Sequence, residues 1–292
     1  MSPLPRLLIT AALVATAFLP AGTARAQQEP GRGPWKVFAF CHDTHDARKR
    51  SFKQQAAMLK RLEFDGVGHI GLEQVQERIV SLDNADLQLF LAGITIDLTK
   101  DIDAQLQPLR DTLPVLKERQ LTLYTVVTGL PPGSPQGLET AVTAVQELCD
   151  IARTGRIRIA LYPHTGDWVA TVPQAIKLAK RVQRENCGVV FNLCHFLRNE
   201  DPATLNEVLR DVRPFLVAVT INGADLAGRN DKDWKRLIQP LDQGDFDVAA
   251  FMGQLQQIGY QGPVGIMCYG IGGNAADHLE RSIEKWQELV RK

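Results

Sequence analysis

The chain lacks a surplus of charge of either sign. In 292 residues, 33 Lys and Arg stand against 33 Asp and Glu. Without a basic excess there is no electrostatic footprint for nucleic acid or an anionic membrane. A disulfide framework is also missing, because the five cysteines (Cys41, Cys149, Cys187, Cys194, Cys268) are odd in number and widely spaced. Cys41, Cys194 and Cys268 fall on predicted strands, where free cysteine behaves as a small buried hydrophobe. One disulfide pair stays open, and the sequence does not choose it. No Gly-x-Ser-x-Gly turn marks a nucleophilic serine. The apolar run Leu7 to Leu19 is shorter than the roughly 20 residues that span a bilayer, and Pro20 ends it.

That short run has another reading. Arg6 precedes it and Ala24-Arg25-Ala26 follows, in the small-x-small form of a signal-peptidase site. Residues 1–26 are therefore expected to be a signal peptide cleaved after Ala26. No cysteine and no paired arginines occur there, so the general secretory route to the periplasm or medium is expected. The mature chain, residues 27–292, then needs no membrane and is long enough for one large core.

From Trp35 onward, short β-branched or aromatic runs alternate eight times with segments of helical period. The strand candidates are 36–41, 66–71, 88–94, 122–127, 158–162, 188–192, 216–222 and 264–268. Helices are expected over 52–62, 138–152, 172–182 and 248–258, with Thr171 and Asn274 as caps. In the last helix Leu279, Ile283, Trp286, Leu289 and Val290 form the apolar stripe. Eight strand–helix units with almost continuously hydrophobic strands predict a single-domain α/β fold, a (β/α)8 TIM barrel. An open doubly wound sheet usually carries a glycine-rich first turn, and Cys41-His42-Asp43-Thr44-His45 is not one. Gly270-Ile271-Gly272-Gly273 could seat a phosphate, but no lysine or arginine is near, so a plain turn is favoured. Pro131-Pro132-Gly133-Ser134-Pro135 reads as a rigid loop after strand four.

Five of the six histidines fall where a predicted strand ends: His42, His45, His69, His164 and His195. In a barrel those ends form one reactive face. Around them stand Asp43, Asp97, Thr125, Thr128, Tyr162, Asp167, Asn192, Asn222, Asp225, Met267 and Tyr269. A polar face with aromatic rings suits a small-molecule carbohydrate, whose hydroxyls pair with amides, acids and imidazoles while rings cover its C–H faces.

The segments Ala160-Leu161-Tyr162-Pro163-His164-Thr165-Gly166, Phe191-Asn192-Leu193-Cys194-His195-Phe196, Thr220-Ile221-Asn222-Gly223-Ala224-Asp225, Gly244-Asp245-Phe246-Asp247 and Gly259-Tyr260-Gln261-Gly262-Pro263-Val264 carry a family resemblance. The mature chain resembles the sugar phosphate isomerase/epimerase family of xylose isomerase-like TIM barrels. That resemblance implies a divalent metal held at the ends of strands five to eight. Those positions here are Tyr162, Asn192, Asn222 and Met267, a set of neutral oxygens and a thioether that suits a hard cation poorly. No cofactor is therefore firmly expected and no metal ligand is named, with a divalent metal left as an open alternative.

The resemblance retains His164 and His195. They are the expected acid and base, with Asp225 or Asp43 tuning an imidazole or taking the proton. His42, Asp43, His45, His69, Tyr162, Asn192, Asn222 and Tyr269 are expected to hold substrate. The reading is a sugar isomerase or epimerase acting by proton transfer, or a lyase on a keto-sugar. Two alternatives stand beside it: a noncatalytic carbohydrate-binding barrel, and a lyase or hydrolase with a metal site rebuilt from the five histidines. Substrate identity and self-association are not fixed by the sequence.

Overall fold

The computed structural model describes residues 34–291; the expected signal peptide lies outside them. Eight parallel strands close in sequence order into a barrel. They are β1 (Val37–Phe40), β2 (Gly66–His69), β3 (Gln88–Asp97), β4 (Thr122–Thr128), β5 (Arg158–Leu161), β6 (Cys187–Asn192), β7 (Leu216–Ile221) and β8 (Val264–Met267). Pairing of β1 with β8 completes the ring. All eight expected strands are present. β3 runs three residues past its expected end because Thr95 and Ile96 continue the β-branched pattern and pair in register with Val126 and Val127.

The helices outside the ring are α1 (Phe52–Arg61), α2 (Val75–Asp83), α3 (Ile102–Leu116), α4 (Leu138–Thr154), α5 (Val172–Val182), α6 (Leu193–Asn199), α7 (Leu205–Val212), α8 (Val248–Gln257) and α9 (Ala275–Val290). Caps fall where the sequence expects them. Thr171 accepts from Gln174 N and Gln174 returns the bond, a capping box, and Asn274 accepts from Ala276 N. Leu279, Ile283 and Trp286 of α9 are buried while Arg281, Glu284 and Glu288 face water. β6 departs from one helix per strand, being followed by the short α6 and then α7.

Side-chain alternation sorts each strand into two faces. In β1, Val37 and Ala39 pack outward on the helices while Phe38 and Phe40 point into the barrel. Their rings need room, which strand glycines supply: a Cβ on Gly265 would lie 2.5 Å from the Phe38 ring, and one on Gly68 2.5 Å from Phe40. Phe38 stacks on Phe90 at 5.2 Å, Phe40 meets Tyr124 edge-on at 5.5 Å, and Tyr124 lies 5.0 Å from Tyr162. The interior is thus a column of rings, and its upper surface is a floor at the C-terminal mouth.

Motifs at the opposite end are structural. Tyr260 Oη donates to the Pro263 carbonyl at 2.6 Å and its ring packs on Trp35. On the mouth side, Asp247 is equally structural: it caps α8 by accepting from Ala250 N. Among the described residues, no helix is long and apolar enough to cross a membrane.

Candidate active site

A cavity of about 770 Å³ opens over the aromatic floor at the C-terminal ends of the strands. On its β5 side the chain makes a tight turn. Asp167 N donates to the His164 carbonyl at 3.1 Å, and Gly166 sits between them at φ +90°. A type II turn requires positive φ at its third residue, a conformation glycine adopts without steric cost. The turn brings the first and fourth side chains together, so His164 Nδ1 lies 2.6 Å from Asp167 Oδ2. Thr128 Oγ1 donates to the other carboxylate oxygen at 2.6 Å. Since a carboxylate only accepts, Nδ1 of His164 carries the proton and Nε2 presents a lone pair.

His195 is built differently. Asn192 ends β6 and caps α6 by accepting from Cys194 N, which places His195 in the first helical turn. Its Nδ1 accepts from the backbone N–H of Thr165 at 3.3 Å, with Thr165 Oγ1 at 3.0 Å. A backbone N–H only donates, so Nδ1 is the bare nitrogen and the neutral ring carries its proton on Nε2. Burial, then the neighbouring His164 and Arg198, hold the His195 pKa well below the ordinary histidine value. The two ring centroids are 4.3 Å apart. One imidazole offers a lone pair and its neighbour an N–H.

Trp234 lies edge-on to His195 at 5.1 Å and is itself covered by the Arg198 guanidinium at 4.4 Å. Beneath the imidazoles, Asn192 Nδ2 donates to Tyr162 Oη, leaving the phenol hydrogen free to point elsewhere. Burial pushes the Tyr162 pKa up, so it remains a neutral donor. Met267 also lines the cavity.

These neighbours answer whether the family's metal position suits a divalent ion. Tyr162 is a protonated phenol, both ends of the Asn192 amide are engaged, and Asn222 Nδ2 donates to the Gly223 and Leu237 carbonyls at 2.9 and 2.6 Å. No charged oxygen stands at any of the four positions, and the set does not fit a hard cation.

The expected convergence of five histidines needs correction. Only His164 and His195 meet. His69 has the parity of Val67, whose side chain faces the helices, so it points out of the barrel; its Nε2 lies 2.8 Å from the Glu73 carbonyl and its ring meets Phe52. His42 follows Cys41, which has φ +56°, and is buried beside Gln55 with neither ring nitrogen in hydrogen-bonding geometry among the described residues. It belongs to a second polar cluster, where Arg78 bonds Asp43 at 2.5 Å and Gln55 at 2.6 Å, with His278 nearby. Asp43 therefore neutralises a buried guanidinium. His45 remains at the mouth, its Nδ1 accepting from Gly270 N at 3.2 Å and its ring 5.1 Å from Tyr269. Among the described residues, no three His, Cys, Asp or Glu groups form a metal ligand set.

Asp225 is also elsewhere than expected. Its carboxylate bonds Arg236 Nε at 3.3 Å and Gln239 Nε2 at 3.1 Å, fastening the long loop after β7. The acid beside an imidazole is Asp167, whose signal was the His164-Thr165-Gly166-Asp167 turn. Trp234 and Glu73, which also line the cavity, carried no sequence signal. All five cysteines are free and buried; burial raises the Cys194 pKa to about 12 and raises Cys41.

The sequence model of a family described as Xylose isomerase-like TIM barrel matches residues 87–289. The search of curated protein sequences gives no significant match. Among solved structures, a D-allulose 3-epimerase from Methylomonas sp. superposes with TM-score 0.68 at 18% identity, over 88% of this chain and 99% of that one. A 3-keto-D-glucoside 4-epimerase from E. coli gives 0.67 at 17%, over 87% and 99%. A probable 3-DHS dehydratase from Bacillus anthracis gives 0.70 at 14%, over 86% and 98%. At these identities the likeness is one of fold.

Proposed function

The chain belongs to the xylose isomerase-like TIM barrel family, and from that premise we propose an enzyme that moves a proton on a sugar or oxidised sugar derivative, with His164 as base and His195 as hydrogen-bonding acid. One observation carries the reading: two imidazoles 4.3 Å apart, one tied through Nδ1 to a carboxylate and the other through Nδ1 to a backbone N–H. A ketone acidifies the C–H beside it. His164 Nε2 takes that proton, the C–H electron pair becomes the new C=C bond, and the carbonyl pair moves onto oxygen. His195 Nε2–H stabilises that oxygen. A neutral imidazole suits this role because its pKa lies closer to that of an enolate oxygen than an imidazolium's does. Asp167 orients His164 and stabilises the imidazolium that forms.

The spacing also selects among outcomes. Two bases on opposite faces of one carbon would stand roughly 7 Å apart, twice an ordinary contact distance. His164 and His195 both stand on the β5–β6 side of the cavity, their ring centroids 4.3 Å apart, and so approach the substrate from one side. This favours a 1,2-shift, in which the α-hydroxyl proton passes to the enolate oxygen beside His195 Nε2, the α-oxygen pair closes the new carbonyl and the His164 imidazolium returns its proton to the former carbonyl carbon, or an elimination, in which the carbonyl re-forms, the C=C pair expels an oxygen substituent from the β-carbon and the imidazolium proton leaves with that oxygen. It argues against inversion by two opposed bases. The E. coli neighbour is named for a 3-keto-D-glucoside, which agrees with a ketone as the activating group.

The test is proton exchange. Methyl 3-oxo-glucoside incubated with the protein in D2O should take up deuterium beside its carbonyl, read by NMR. His164→Ala should slow this by about 10²–10⁴-fold, the usual contribution of a positioned general base. Exchange that proceeds equally in the variant would overturn the reading. Binding without exchange would favour a noncatalytic sugar-binding barrel. We extend the proposal to export: N-terminal sequencing of protein from the periplasm or medium should begin at Gln27, and a chain beginning at Met1 would refute it.

A further inference from the structure

Resting on the proton-transfer reading, we propose that the substrate is a neutral glycoside carrying a flat apolar aglycone. The sugar lies at the imidazole pair and the aglycone lies along the β2–β4 side of the mouth.

The two sides of the cavity differ in chemistry. The β5–β6 side carries His164, Asp167 and His195. The β2–β4 side presents a run of apolar surface, Ile70, Leu72, Ile94, Pro108 and Val126, with the polar groups of Glu73, Thr95, Gln105 and Thr128 set among it. The wall is tall because β3 and β4 continue to Asp97 and Thr128, in register with each other. It ends at a rim that exposes apolar surface to water. Ile70, just past β2, is 46% exposed and Tyr269, just past β8 with only β1 between, 47%; they are two of the four large hydrophobic side chains so exposed among the described residues. Apolar surface gathered at a pocket mouth marks a place where a ligand removes it from water.

Charge and size narrow the ligand further. No lysine or arginine lines the cavity among the described residues, whereas the carboxylates of Glu73 and Asp167 do. A phosphate or carboxylate group would lose its water here and meet negative charge, so a sugar phosphate is disfavoured. The volume of about 770 Å³ lies in the upper part of the range of pockets that enclose drug-sized ligands, more than one sugar ring fills.

The test is titration calorimetry of the wild-type protein with the phenyl and methyl glucosides, both anomers of each, and with glucose 6-phosphate. For one anomer, the phenyl glucoside should bind about 30-fold tighter than the methyl glucoside, from the added apolar area buried. Glucose 6-phosphate should bind weakest. Ile70→Ser, at an exposed rim position, should erase several-fold of the phenyl preference and leave methyl glucoside affinity unchanged. Equal affinity for phenyl and methyl, tightest binding of the phosphate, or no binding of any probe overturns the proposal. Because binding is read without turnover, the two readings fail separately: phenyl preference without deuterium exchange defeats only the proton transfer, and exchange without phenyl preference defeats only the aglycone.

Discussion

The barrel mouth carries two histidine clusters, and they are wired in opposite ways. At the His164–His195 pair each ring holds one partner through Nδ1, an acid in one case and a backbone amide in the other, and faces the cavity with its remaining nitrogen. At the His42–His278 cluster the rings are buried, both His42 nitrogens and His278 Nδ1 make no hydrogen bond among the described residues, and the charges nearby are the Arg78–Asp43 pair on one side and Asp46 and Asp277 on the other. Both clusters combine imidazole with carboxylate near strand ends. The difference shows that a reactive site needs access and a polarised pair, whereas the second cluster is a polar filling between the first loop, α1, α2 and α9.

The comparison would break most visibly at Arg78. Its side chain is 1% exposed and supported by Asp43, Gln55 and the face of Phe52 at 4.0 Å. Arg78→Met should destabilise the fold by about 3–5 kcal/mol in chemical denaturation, because it leaves Asp43 largely buried and uncompensated. Deuterium exchange per folded molecule should persist. If stability holds and exchange disappears, the roles of the two clusters are reversed.

The next effect comes from pH. Burial lowers the pKa of both His42 and His278 to about 4, against 6.5 for the free group. Between those values the unfolded chain binds more protons than the folded one, so stability rises with pH. It should be complete above about pH 6.5 and decline as the pH falls toward 4, by on the order of 3 kcal/mol per histidine. Denaturation curves at pH 7, 5.5 and 4.5 would show the decline. His42→Leu combined with His278→Leu should reduce it and leave the part due to His195 and His69, whose pKa values burial also lowers, and an unchanged slope would remove the two substituted rings as a cause.

The last effect is read in rate rather than in stability and sharpens the contrast between the two acids. Asp167→Asn removes the charge that stabilises the imidazolium, and should slow exchange by about 10–10⁴-fold, the upper end being reached where the amide holds the ring in the wrong tautomer. Asp43→Asn, at the structural pair, should leave the exchange rate within twofold and lower stability. Equal rate losses in the two variants would show that the clusters act as one.

The barrel was legible because β-branched runs and helical periods are local, and the eight strands lie where those runs are. The site was legible in part. His164 and His195 were picked out by their strand-tip segments, and the turn that pairs His164 with Asp167 is written in four consecutive residues. His69 could have been turned outward by applying strand parity from Val67. His42 could not, since its direction depends on the positive φ of Cys41, a residue type that seldom adopts it. Asp225 and Trp234 belong to the long connection after β7, whose path is set by bonds between residues 11 and 14 apart and by the Arg198 stack. Such contacts have no period in the sequence.

Asn192 makes the floor and the acid interdependent. One end of its amide starts the helix that carries His195, and the other end holds the phenol of Tyr162. A substitution at position 192 therefore alters the ring beneath the substrate and the imidazole above it together. Among homologues positions 162 and 192 should co-vary as a pair, with Tyr beside Asn in one lineage and two metal-binding acids in another.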